Sequence, residues 1–97
     1  MEKVKVIFRK CKNPYTNEWE IVAFFPECIA TYGHVMSYMH VGQHGEASLE
    51  FYRTTKKATP EEYADLLEEL KGVYDDCELI IRQKINYDDL HRAWRRR

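Results

Sequence analysis

Thr59-Pro60-Glu61-Glu62-Tyr63-Ala64-Asp65-Leu66-Leu67-Glu68-Glu69-Leu70-Lys71-Gly72 is the stretch on which the fold turns. The Thr59 side chain can accept the backbone N–H three residues on, the Glu62 side chain can reach back to Thr59, and Pro60 fits the first helical position, where no N–H is needed. Tyr63, Leu66, Leu67, Leu70 and Tyr74 recur at helical spacing. Glu61, Glu62, Asp65, Glu68 and Glu69 occupy the opposite face, several of them near the positive end of the helix dipole. The spacing predicts an amphipathic helix with an acidic outer face, stopped at Gly72.

Downstream, Cys77, Leu79 and Ile81 alternate with Glu78, Ile80 and Arg82, the period of two of a strand after an ordinary helix-to-strand connection. Asn86 and Asp89 then open a short helix with Tyr87, Leu90 and Trp94 on one face, ending in Arg95, Arg96 and Arg97. Upstream, Lys3 to Lys10 alternate in the same way, with Val4, Val6 and Phe8 on one face. A turn over residues 12–17 leads into Trp19–Phe25, rich in aromatic and β-branched residues, so the two runs form a β-hairpin. Pro26 is expected to end the second strand, since it has no N–H to give a ladder. Val35 to Val41 make a third strand with both faces partly apolar. Gly42-Gln43-His44-Gly45 signals a turn, and Leu49–Tyr52 can return as a short strand.

These elements predict a single α+β domain over residues 1–97. Its expected form is a two-layer sandwich, a mostly antiparallel sheet of four or five strands with two helices on one face, in the order β-β-β-(β)-α-β-α. Length and composition agree. The chain has 97 residues, 44% hydrophobic, 13% aromatic and 32% charged, values of a folded globular domain. No apolar run approaches the roughly 20 residues that span a bilayer, so no membrane partner is expected. Cys11, Cys28 and Cys77 are odd in number and widely spaced, which suits reduced thiols and a cytoplasmic setting.

Net charge is −1. It is unevenly spread, with +2 over residues 1–57, −7 over residues 58–78 and +4 over residues 79–97. An acidic segment precedes a basic tail.

Several residue sets invite a chemical reading. His34, His40 and His44 are metal-ligand types, but on one strand His34 and His40 would stand about 20 Å apart at roughly 3.3 Å per residue. His40 and His44 across the turn remain, with Glu46 or Cys28 as the further ligand such a site would need. Cys28 lies in an expected loop without a base fixed beside it. The helix carboxylates share one solvated face, unlike an acid–base pair in opposed environments. No glycine pattern suits a nucleotide phosphate, and no cofactor is expected. At the basic end, Arg95, Arg96 and Arg97 could grip phosphates while Trp94 stacks a base, although Trp94 also falls at core spacing with Leu90. Tyr15, Trp19, Tyr32, Tyr38 and Tyr52 exceed the aromatic needs of a small core and mark a contact surface or shield an uncovered sheet face.

Residues 37–48, beginning Ser37-Tyr38-Met39-His40, together with Thr55-Lys56-Lys57-Ala58-Thr59-Pro60-Glu61-Glu62-Tyr63 and Lys5-Val6-Ile7-Phe8-Arg9-Lys10, resemble a group of short uncharacterised proteins from bacteria, phages and other mobile elements. The resemblance implies a small cytoplasmic accessory protein and carries no activity or site residue with it. The leading expectation is therefore a non-enzymatic binding module acting through protein contacts, with Tyr38, His40, His44, Trp94, Arg95, Arg96 and Arg97 as the candidate surface. A nucleic-acid-associated regulator using the basic C-terminal helix and tail is the alternative, and a metal-dependent enzyme at His40 and His44 the third. An exposed edge strand would also allow two copies to pair.

Overall fold

The computed structural model describes residues 2–29, 33–39 and 43–95. Two long strands, β1 (Glu2–Lys12) and β2 (Trp19–Ile29), form an antiparallel hairpin with Ile7 opposite Phe24 and Lys12 opposite Trp19. Next come β3 (His34–Met39), β4 (Gln43–Ser48), α1 (Leu49–Thr54), the two-residue β5 (Lys56–Lys57), α2 (Pro60–Val73), β6 (Cys77–Arg82) and α3 (Tyr87–Arg95). The six-stranded sheet runs β4-β3-β2-β1-β5, with β6 also paired to β1. The free edge of the hairpin is thus shared. Glu2–Ile7 of β1 pair in parallel with β6, and Arg9 and Lys10 pair antiparallel with β5.

Local chemistry accounts for the elements. Asn13 builds the hairpin turn: its backbone N–H donates to the Glu18 carbonyl at 2.8 Å, and its side-chain oxygen accepts from the backbone N–H of Tyr15 at 2.8 Å. Asn17 takes the left-handed backbone, φ 62°, that this residue type tolerates. Gly33, at φ 89°, opens β3 where other side chains would be strained. The expected capping box of α2 is present: the Thr59 hydroxyl accepts from the Glu62 backbone N–H, and the Glu62 carboxylate accepts from that of Thr59 at 2.9 Å.

Both sheet faces are buried. On one, Val6, Phe8, Ala23, Phe25 and Tyr38 pack under Tyr63, Leu66 and Leu70 of α2, with the Phe8 and Tyr63 rings stacked at 4.3 Å. On the other, Ile7, Val22, Phe24 and Val35 pack under Leu49 and Tyr52 of α1 and Leu90 and Trp94 of α3. Phe24 meets Tyr52 edge to face at 5.3 Å.

The α+β class and the mostly antiparallel sheet agree with expectation, but the arrangement needs correction. Helices cover both faces, because β1 and β2 are apolar on both. Among the described residues there are six strands and three helices: the fourth strand is Gln43–Ser48, beginning where a turn was expected, and the order also gains α1 and β5. Leu49–Tyr52 is helical because the Ser48 side chain accepts from the Phe51 N–H at 3.0 Å and caps it. β2 passes through Pro26 to Ile29 because the register against β3 shifts between Phe25 and Ile29, and proline is tolerated at such an irregularity. Gly72 lies inside α2, whose cap is Tyr74. Tyr87 stays at the surface, and Ile85 takes its place in the core. No described helix is long and apolar enough to cross a membrane.

Candidate functional site

Of the residues expected to form a contact surface, those that are described do not make one together. Tyr38 is 1% exposed at the sheet centre, and its hydroxyl donates to the Glu69 carboxylate on α2. Trp94 is 5% exposed and anchors α3. Arg95 is exposed at the end of α3. The backbone of His44 pairs opposite Tyr38 in β4. The His44 side chain, His40, Tyr32, Arg96 and Arg97 lie outside the described residues. The Nδ1 of His34 is buried without a hydrogen-bond partner, yet no group of three or more His, Cys, Asp or Glu side chains able to hold a metal ion occurs among the described residues.

None of the thiols is activated. Burial pushes the Cys11 thiol up, and Glu20 adds to it. Cys28 is raised by desolvation and then by Glu27 and Glu2, and Cys77 by desolvation and then by its hydrogen bond to Asp76. A thiol held protonated is a poor nucleophile near neutral pH.

What the fold does assemble lies at the turn end of the β1–β2 hairpin. Strand alternation puts Lys10, Lys12, Trp19 and Ile21 on one face, and Glu20 on the other. Lys12 stands directly across from Trp19, and β5 lies beside β1 so that Lys56 stands across from Lys10. The ammonium groups of Lys10, Lys12 and Lys56 consequently come within 5.0, 5.4 and 5.6 Å of the Trp19 ring. The indole is 46% exposed, and Tyr15 in the adjoining turn is 95% exposed. Lys10 is fixed by the Glu62 carboxylate at 2.8 Å, while Lys12, Lys56 and Lys57 are exposed. The chain matches no family model, no curated protein and no solved structure.

A half-exposed indole ringed by ammonium groups offers a flat surface for a planar ring and cations for anionic groups on either side of it. The stems of Lys12 and Lys56 are flexible and their charge is compact, so these two ammonium groups can move from the indole to a bound anion. Of the surplus aromatics, Tyr15 and Trp19 are at the surface, whereas Tyr38 and Tyr52 are in the core. The part played by Lys10 and Lys12 follows from hairpin register and was accessible to sequence reading. That of Lys56 was not, because it depends on residues 56–57 adding to β1.

Proposed function

We propose that this chain is a non-enzymatic, cytoplasmic binding protein that holds single-stranded nucleic acid on Trp19 and its lysines. The observation that carries the reading is the convergence of three ammonium groups, within 5.0–5.6 Å, on a tryptophan left half-exposed at the end of a sheet. Base stacking on an aromatic side chain contributes about 1–3 kcal/mol per base, and lysines add a salt-dependent attraction for phosphates. Tyr15, exposed in the adjoining turn, offers a second aromatic surface for a neighbouring base. The alternative grip through the C-terminal arginines loses its stacking residue, since Trp94 is in the core.

The test is a fluorescence-anisotropy titration of labelled single- and double-stranded DNA and RNA over a salt series. The full chain is compared with Trp19→Ala, with Lys12→Ala/Lys56→Ala, and with a chain ending at Trp94. The expected result is single-strand binding that drops about tenfold or more in Trp19→Ala and shows a shallower salt dependence in the double lysine variant. Binding unchanged by Trp19→Ala would overturn the assignment. Loss only in the shortened chain would move the site to the arginines, and binding of an acidic peptide in place of oligonucleotides would turn it into a protein-contact surface.

A further inference from the structure

β6 is a margin of the sheet: one edge pairs in parallel with β1, and no described strand pairs with the other. Its sequence, Cys77-Glu78-Leu79-Ile80-Ile81-Arg82, sets three consecutive aliphatic side chains, each partly exposed, between two exposed opposite charges. Unpaired sheet edges are usually short, bulged or covered, because they template pairing with another chain. This one is regular and apolar at its centre. Beside it an open groove of about 390 Å³ separates β6 from α2, with Leu67, Tyr74, Leu79 and Ile81 among its lining. Neither Glu78 nor Arg82 makes an ion pair among the described residues.

We propose that this edge pairs antiparallel with the same edge of a second copy, about a two-fold axis normal to the sheet at Ile80. The order of charges selects both partner and register. With Ile80 opposite Ile80, Glu78 stands opposite Arg82 of the second copy, and the symmetry repeats the pair. Leu79 stands opposite Ile81, so each copy brings an aliphatic side chain toward the mouth of the other's groove. A register shifted by two residues in either direction would put Glu78 or Arg82 opposite Ile80, and a parallel arrangement would set like charge against like. The acidic and basic segments flanking β6 are thus complementary to themselves once one copy is reversed. This inference is independent of what Trp19 binds.

The test is sedimentation of the full chain over a concentration series reaching the millimolar range. It is applied to the natural sequence, to Glu78→Arg, to Arg82→Glu, and to both substitutions in one chain. These positions are exposed, and circular dichroism checks that the variants keep the fold. The natural chain is expected to reach twice its 11.7 kDa mass. Each single reversal should weaken self-association at least about tenfold by opposing like charges twice. The double reversal should restore it. A mixture of the two single variants should form a heterodimer, since one then presents two positive and the other two negative side chains at these positions. A natural chain that stays monomeric throughout, single variants that associate as well as it does, or a mixture that stays monomeric would each overturn the proposal.

Discussion

The indole N–H of Trp94 donates across 3.2 Å to the backbone carbonyl of His34, tying α3 to the first residue of β3. A nine-residue helix is too short to persist alone in water, so α3 depends on this bond and on the burial of Leu90 and Trp94. Trp94→Ala is expected to destabilise the chain by about 3–5 kcal/mol, and Trp94→Phe by less, because the benzyl ring keeps part of the packing. Urea unfolding measures both. A cost under about 1 kcal/mol for the alanine variant would mean that α3 is not docked on the sheet.

Arg9 joins β1 to the segment after α1 through a two-pronged contact. Its Nε donates to the Thr55 hydroxyl oxygen at 3.0 Å and its Nη2 to the Thr55 carbonyl at 2.8 Å, while the guanidinium lies 4.9 Å from the Tyr52 ring centre. A lysine ammonium cannot reproduce that planar fork. Arg9→Lys is expected to cost about 1–3 kcal/mol in chemical denaturation, the scale of two lost hydrogen bonds, although charge is conserved. Equal stability would show that the fork contributes nothing.

Glu62 predicts a pH effect with a definite sign. The hydrogen bond from the Lys10 ammonium, followed by that from the Thr59 backbone N–H, holds its carboxyl below the ordinary value of 4.5. Folding therefore favours the ionised form. Its contribution is present in full above the unfolded value and is lost as pH falls through the folded one. The stability gap between the natural chain and Glu62→Gln should stay level above about pH 5.5 and narrow as the pH drops below about 4.5. A gap that stays constant down to about pH 3 would show that Glu62 gains nothing from these partners.

What could be read from the sequence is what is held by near neighbours. The Thr59–Glu62 capping box spans four residues and is formed as its spacing implies. The alternation of Val4, Val6 and Phe8 placed β1 correctly, as that of Cys77, Leu79 and Ile81 placed β6. The error over layers came from Ile21-Val22-Ala23-Phe24-Phe25, a continuous apolar run of the kind found in strands covered on both faces. The helix α1 was hidden by the aromatic residues Phe51 and Tyr52, which suit a strand until Ser48 is seen to cap them. Contacts between distant segments left no local trace. The convergence of Lys56 on Trp19 depends on a two-residue strand that no periodicity can reveal, and the parallel pairing of β6 with β1 links two segments whose own patterns do not name each other.

That parallel pairing carries a consequence for the order of events as the chain is made. Glu2–Ile7 emerge long before Cys77–Arg82, and until the later segment arrives half of one edge of β1 has no strand to meet. Closing a ladder across so much intervening chain is slow for a domain of this size, with folding expected nearer milliseconds to seconds than microseconds. During that interval the backbone edge of Glu2–Ile7 is open to whatever other strand is nearby. An edge of the strand synthesised early is therefore completed only after α2 has been made, and it is there that a growing or truncated chain would be most apt to stick to others.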